Sequence, residues 1–390
     1  MIVSSSGLAS GLLNAAVLAL SARNGQTGEI ATYAVVTAAL TLVAVAVAGG
    51  SPLLYISGDA GQRRAVRSQW VFLTLPIMAL GTLAVGAFYS RSGYEWPAML
   101  AVGAVAMGNN LALLQLSDLA RDLRFGSSAL VICGCKVPAL VMVAGGARLS
   151  TALLVAAAVQ FLVAEACLGR RSWLRPGQLA DLSPRRALSV FRMNRHLFTY
   201  TVAEYFGGRV TTVALSLLAT PRVMGAFGAV ISIYQALGGV LLATLRVPMV
   251  GRVRSRQGIG SAAPDRQAEL VAVLGAAMIA AVTMVAAPWI VGDLLRLPSP
   301  GAVLWLMLLA AALPFLTVVR AVTLNQIGDA AYRQATRIML LNAGLITPLA
   351  LVAVPLAGPT GAAAATLAAE VLTAAALGLA VLGRRGRLSA

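Results

Sequence analysis

The sequence predicts an all-α polytopic membrane protein with about twelve transmembrane helices in two six-helix bundles, related by a pseudo-twofold axis along the membrane normal. Three observations carry that expectation. Apolar runs of about 20 residues, the length that crosses the hydrocarbon, recur along the whole chain. Arginines alternate in number from one connection to the next, and one basic stretch divides the chain into two near-equal halves.

The dividing stretch runs from Gly169 to His196, GRRSWLRPGQLADLSPRRALSVFRMNRH, and holds seven arginines with Asp181 as its only acid. A segment this basic crosses a bilayer only at high cost, so it stays on the cytoplasmic side. It separates an N-terminal bundle (1–168) from a C-terminal bundle (197–390), with 169–196 as the linker between them.

Composition supports the class. Apolar residues make up 59% of the chain and charged residues 11%. A soluble domain cannot bury that surplus, so it faces lipid. The net charge of +17 would suggest nucleic acid in a soluble protein. Here the basic residues lie between apolar runs, against anionic headgroups, so no nucleic-acid partner is expected. Lys136 is the only lysine and alanine is abundant, a usage that suggests a GC-rich bacterial genome and hence a bacterial cytoplasmic membrane. The stretch from Met1 to Ser21 has neither the basic start nor the cleavage pattern of a signal peptide. Cys133 and Cys135 would point about 200° apart on a helix, which is poor metal geometry. With Cys167 and His196 they read as structural, and no metal or cofactor is expected.

Twelve spans are expected, near 4–21, 30–56, 69–89, 96–117, 127–146, 149–168, 197–219, 222–248, 269–291, 302–323, 335–356 and 360–383. With both termini cytoplasmic, the inner connections hold twenty-one arginines and the outer ones five, namely Arg23, Arg91, Arg148, Arg222 and Arg296. Positive charge retained inside explains such a bias. The halves resemble each other: Thr32-Tyr33-Ala34-Val35-Val36 opens the second span as Ala226-Phe227-Gly228-Ala229-Val230 opens the eighth. Pro138 in the fifth span has its counterpart in Pro348 of the eleventh.

No enzyme is expected. Glu29, Glu95 and Asp293 stand singly on outer connections, without the paired carboxylates that metal-assisted or acid–base chemistry requires. A phosphate-cradling G-x-x-x-x-G-K-[ST] is absent too, so ATP does not drive this chain directly.

Charges inside the spans are the informative residues, because ionisable groups at membrane depth are expensive and usually functional. Lys136 lies about 14 Å into the fifth span and Glu370 about 15 Å into the twelfth. The seventh span is the most polar, with Tyr200, Glu204, Tyr205, Arg209 and several threonines. Glu204 and Arg209 are five residues apart, about 140° around the helix, so they do not stack on each other. Arg246 and Arg320 lie near the inner ends of their spans, where snorkelling to headgroups is the expectation.

Three segments carry a family resemblance: GQTGEIATYAVVTAALTLVAVAVAGGSPLLY after the first span, VMGAFGAVISIYQALGGVLLATLRVP in the eighth, and the tail from Leu294 with Gly328-Asp329 and G-P-T-G-A-A-A-A opening the last span. Together they resemble bacterial polysaccharide flippases of the multidrug, oligosaccharidyl-lipid and polysaccharide exporter superfamily. The resemblance covers nearly the whole chain through small-residue motifs. It implies two six-helix bundles around a cationic cavity lined by the first, second, seventh and eighth spans. It also implies movement of an undecaprenyl-pyrophosphate-linked oligosaccharide from the inner to the outer leaflet, with membrane lipid and a polysaccharide polymerase or glycosyltransferase complex as partners. On that reading Arg209 holds pyrophosphate, and Tyr33, Tyr200, Tyr205 and Tyr234 stack on sugars. Gln235, Glu204 and Lys136 complete the substrate-binding set, while Glu204 and Glu370 couple transport to a proton or sodium ion. A major-facilitator carrier or a multidrug-type exporter of a small molecule is the alternative. Gly58-Asp59-Ala60-Gly61-Gln62-Arg63-Arg64 resembles the carrier's G-x-x-x-D-x-x-G-R-R turn, one residue short.

The arginine count makes a direct prediction. Single-cysteine labelling will place positions Arg64, Gln178 and Arg385 inside and Gly93 and Ser299 outside, and outside access to Gln178 would break the map.

Overall fold

Helices occupy all the expected spans in the computed structural model of the chain, which describes residues 2–48, 55, 59–121, 124–134, 136–169, 182–193, 195–256, 258, 266–297 and 299–386. The first four spans are Ile2–Arg23, Thr27–Ala48, Ala60–Ser90 and Trp96–Arg121. The fifth comprises Phe125–Gly134 and Lys136–Ala144, and the sixth is Leu149–Leu168. In the second half come Arg195–Ser216, Pro221–Arg256, Arg266–Trp289 and Ala302–Gly328. The run Tyr332–Gly386 holds the last two. Gly358, with φ of 56°, breaks it where G-P-T-G was expected to open the twelfth span. Only glycine takes that backbone without strain, and Pro359 then starts the new helix.

Eight of the described helices are long and apolar enough to cross a membrane, and Tyr332–Ala380 among them contains two spans. The chain is a multi-pass membrane protein. Its surplus apolar surface points outward on peripheral helices: Leu80, Met278, Val285 and Leu356 are 66%, 70%, 85% and 81% exposed.

Packing repeats between the halves. The first span packs on the fifth, the second and third on the fourth, and the fourth on the sixth. The same partnerships recur as seventh with eleventh, eighth and ninth with tenth, and tenth with twelfth. Two six-helix lobes result, meeting through the first, second, seventh and eighth spans. The closest approaches across this seam lie where the second and eighth spans begin. There a Cβ added to Gly225 would come within 2.3 Å of the Thr27 carbonyl oxygen, and one on Gly228 within 2.8 Å of the Ala34 Cβ. Only glycine lets the two backbones approach so closely. Beside them Tyr89 and Ser216 share a buried 2.6 Å hydrogen bond.

The opposite face gathers the arginine-rich connections, and each lobe is clamped there by charge. In the first lobe, Arg67 pairs with Asp118 at 3.1 Å and donates to the Tyr55 hydroxyl at 2.7 Å, which itself donates to Asp118. In the second, Arg252 bridges Glu269 at 3.0 Å and Asp329 at 3.3 Å, while the Asn325 amide also donates to Glu269. At the glycine-seam end Arg148 binds both Glu29 and Glu95, so these carboxylates do not stand alone as the sequence suggested. Glu29 and Gln26 also cap the sixth span, accepting from the Ser150 and Leu149 amides at 2.8 and 3.0 Å.

Two expectations about the connections change. Residues 170–181 of the basic stretch lie outside the described residues, but Pro184–Met193 is an amphipathic helix. Its Ala187 and Val190 are buried, and the helix packs against Ala60–Gln69. The Asp59 turn has a local cause: its side chain accepts from the Gln62 amide at 2.8 Å while Gln62 accepts from the Asp59 amide, a capping box. Helix capping accounts for the aspartate that resembled the carrier motif.

Cutting the first-lobe clamp will be costly, because Asp118→Ala leaves Arg67 charged and largely buried. A loss of about 3–5 kcal/mol is expected, read as a lower melting temperature in detergent, whereas Glu95→Gln at the exposed end of the Arg148 bridge will change it little.

Candidate functional site

The seventh span presents two polar faces. Tyr200, Thr201, Ala203, Gly207 and Thr211 are buried, and Gly207 packs on Asn342 of the eleventh span. Glu204 stands one turn from Tyr200 on this side and pairs with Arg320 of the tenth span at 2.9 Å. Tyr205 and Arg209, one turn apart at i and i+4, form the second face.

The buried face faces a polar cluster inside the second lobe. Arg320 is 7% exposed; its Nη1 forms the ion pair with Glu204 and donates to the Met339 sulfur at 2.8 Å. Its Nε has no hydrogen-bond partner among the described residues. Glu370 of the twelfth span, 6% exposed, lies within electrostatic range of Arg320 and beside Asn342, whose amide donates to Thr373 at 3.1 Å. Glu370 Oε2 is buried without a hydrogen-bond partner among the described residues. Tyr234 of the eighth span adds a phenol within range of both Glu370 and Arg320.

Arg320 therefore does not snorkel. The tenth helix continues to Gly328 rather than ending near 323, so Arg320 lies about 12 Å from its end. Glu204 then gives it a partner at depth. Tyr200 is also displaced from its expected role. It is 1% exposed, with its hydroxyl beside Arg320 and Thr323 but without a well-formed hydrogen bond, so it packs inside the lobe and not on a cavity wall.

On the other face of the seventh span, Arg209 has Tyr205 and, across the seam, Tyr33 of the second span within electrostatic range. Among the described residues it has no recorded ion pair. Tyr205 in turn lies within range of Arg246 on the eighth span as well as of Arg209 and Arg320. Because Glu204 balances Arg320, Arg209 and Arg246 are the uncompensated charges around Tyr205. Gln235 is half-buried beside Tyr234, and Lys136 is half-buried in the first lobe, with no recorded interaction joining it to this group.

The sequence reading missed two buried carboxylates of the first lobe. Asp118 is 3% exposed in the clamp described above, and Glu165 receives a 2.5 Å hydrogen bond from Gln115 of the fourth span. Each lies within a turn of a predicted span end, where a carboxylate looks solvated. The alternation of apolar residues gave no sign that a neighbouring helix covers it.

No family sequence model matches the chain, and no curated protein matches it by sequence. Its fold does match solved structures. The lipid II flippase MurJ, in an inward closed conformation, is similar with a TM-score of 0.66 and 13% identity over 97% of this chain and 87% of that one. A eukaryotic MATE transporter is similar with a TM-score of 0.59 and 14% identity, over 98% of this chain and 94% of that one. A MOP superfamily transporter from Pyrococcus furiosus gives 0.56 and 15% over 100% and 95%. The chain shares the fold of these structures.

In this fold Glu204 of the ion pair and Arg209, which has no ion pair among the described residues, lie on different faces of one helix. Removing one partner of a buried pair strands the other charge, at about 3–5 kcal/mol. Glu204→Gln will therefore lower thermal stability strongly, and adding Arg320→Gln will recover most of the loss. Additive losses in the double variant would show that the two side chains are not coupled.

Proposed function

We propose that the chain is a membrane transporter that moves a lipid-linked oligosaccharide, of the undecaprenyl-pyrophosphate class, from the inner to the outer leaflet for cell-surface polysaccharide synthesis. The observation that carries the reading is Arg209, a guanidinium at the lobe seam without a recorded carboxylate partner and flanked by tyrosines from both lobes. An unpaired arginine at membrane depth is costly unless a ligand matches it. Its fork fits two phosphate oxygens, and Arg246 stands near enough to Tyr205 to add a second positive charge. Tyr33, Tyr205 and Tyr234 offer flat faces to sugars, while the lipid tail stays in the bilayer. Gln235 and Lys136 remain on the proposed substrate-binding surface, and Glu204 and Glu370 on the coupling side.

Alternating access would rock the two lobes about the seam formed by the first, second, seventh and eighth spans. The arginine-rich connections put both termini in the cytoplasm of a bacterial inner membrane, where a polymerase or glycosyltransferase complex would supply or receive the glycan. Export of a cationic drug is disfavoured, since Arg209 and Arg246 repel it.

Transport by proteoliposomes loaded with a polyprenyl-pyrophosphate oligosaccharide tests the reading. Activity is expected to fall in the order native, Arg209→Lys, Arg209→Ala, with membrane levels unchanged, because lysine keeps the charge and loses the fork. Neutralising Glu204 will not rescue Arg209→Ala, because Glu204 serves Arg320. Full activity of Arg209→Ala, or export of a cationic dye with no glycan movement, would defeat it.

A further inference from the structure

The cluster around Arg320 holds one permanent positive charge and two carboxylates, and its hydrogen bonding is incomplete in a particular way. Arg320 pairs through Nη1 with Glu204, while its buried Nε has no hydrogen-bond partner among the described residues; the buried Oε2 of Glu370 has none there either. A donor and an acceptor are thus left unmatched within one electrostatic group. An ionised Glu370 would be drawn to the guanidinium and would compete with Glu204 for it. A protonated Glu370 would leave the observed Glu204 pair undisturbed.

We propose that the second lobe carries a proton-binding site at Glu370, and that a proton, not a metal cation, is the coupling ion. The proposal rests on the transport reading above only for the word coupling. A sodium ion would need several oxygen ligands converging beside Glu370, where the described neighbours are a guanidinium, an amide that already donates to Thr373 and one phenol, whereas a proton needs only one carboxylate oxygen. Every element packed against Glu370 fits this assignment. The tenth span presents Arg320, which keeps its charge. The eleventh presents the neutral amide of Asn342, the eighth the phenol of Tyr234, and the seventh presents Glu204 and Tyr200 beyond Arg320. Phenols stay protonated through the physiological range. Glu204 is already engaged by its 2.9 Å contact with Arg320. Glu370 is left as the group that takes up and releases the proton.

The two pairings tie Arg320 to different helices. Glu204 belongs to the seventh span, which carries Tyr205 and Arg209 on its other face and packs against the second span across the seam. Protonated Glu370 leaves the seventh span tied to the tenth, with the lobes joined at Gly225, Gly228 and Tyr89–Ser216, as observed. When Glu370 loses its proton, Arg320 turns to the twelfth span and the seventh is released, together with its half of the seam. Acid therefore favours the closed seam and alkali its opening. With the arginine face cytoplasmic, a proton taken from outside would return an emptied carrier to its loading state, which is proton-for-substrate exchange.

Spin labels on Ser92→Cys and Thr220→Cys, with Cys133, Cys135 and Cys167 changed to serine, report the separation of the lobes at the seam in nanodiscs. The distance distribution is expected to shift to longer values as pH rises, and to stay unchanged when sodium replaces potassium at fixed pH. Glu370→Gln is expected to hold the short distances at every pH, and to remove a protonated-carboxyl C=O band from infrared difference spectra. A sodium-induced shift at fixed pH, a pH-independent native protein, or a Glu370→Gln protein that still responds to pH would each overturn the proposal. The native pH and sodium comparisons stand even if Glu370→Gln does not fold. No substrate is needed, so a protein that responds to pH but moves no glycan would lose the transport reading and keep the proton site.

Discussion

A guanidinium cannot shed its charge, so wherever helices bury one they must also bury its partner. Arg320 meets that requirement with Glu204, and the pair fixes the polar arrangement of the second lobe. It binds the seventh span to the tenth and turns Tyr200 inward beside it. It also removes the one acid on the seventh span that could have neutralised Arg209. The face toward the other lobe thus stays positive because the face away from it is satisfied. An acid placed one turn away, on the Tyr205 side, would have produced a neutral seam.

The lobes hold themselves together differently from the way they hold each other. Within each lobe, charge clamps at the arginine face tie three helices: Arg67 with Asp118 and Tyr55 in the first, Arg252 with Glu269 and Asp329 in the second. The first clamp is costly to open because Arg67 and Asp118 are both largely buried. Across the seam two glycines approach Thr27 and Ala34, one hydroxyl pair forms, and buried apolar residues of both lobes join in one core. In lipid, tails are as apolar as side chains, so close packing of small residues gives association without a strong apolar driving force.

Much of the fold was legible because the bilayer forces it to be. Backbone groups in hydrocarbon must be satisfied within the segment, so runs of about 20 apolar residues read directly as helices. Gly358-Pro359 marked the break before the last span, because glycine there takes a backbone conformation that side chains resist. The cost of moving arginine across the membrane likewise explains why the basic connections share one face. Even the separation of Glu204 from Arg209 followed from helical geometry, five residues being about 140°.

The partners did not follow. Arg320 and Glu204 are separated by more than a hundred residues, and nothing in the local pattern distinguishes Arg320 from a snorkelling arginine. Asp118 and Glu165 looked like span-end groups until neighbouring helices covered them. The sequence by itself determined that the chain crosses the membrane about twelve times as a duplicated pair of bundles, because hydropathy and charge act on each segment alone. Only the tertiary structure decided which charges cancel and which remain for a ligand, because a buried charge takes its meaning from the helix packed against it.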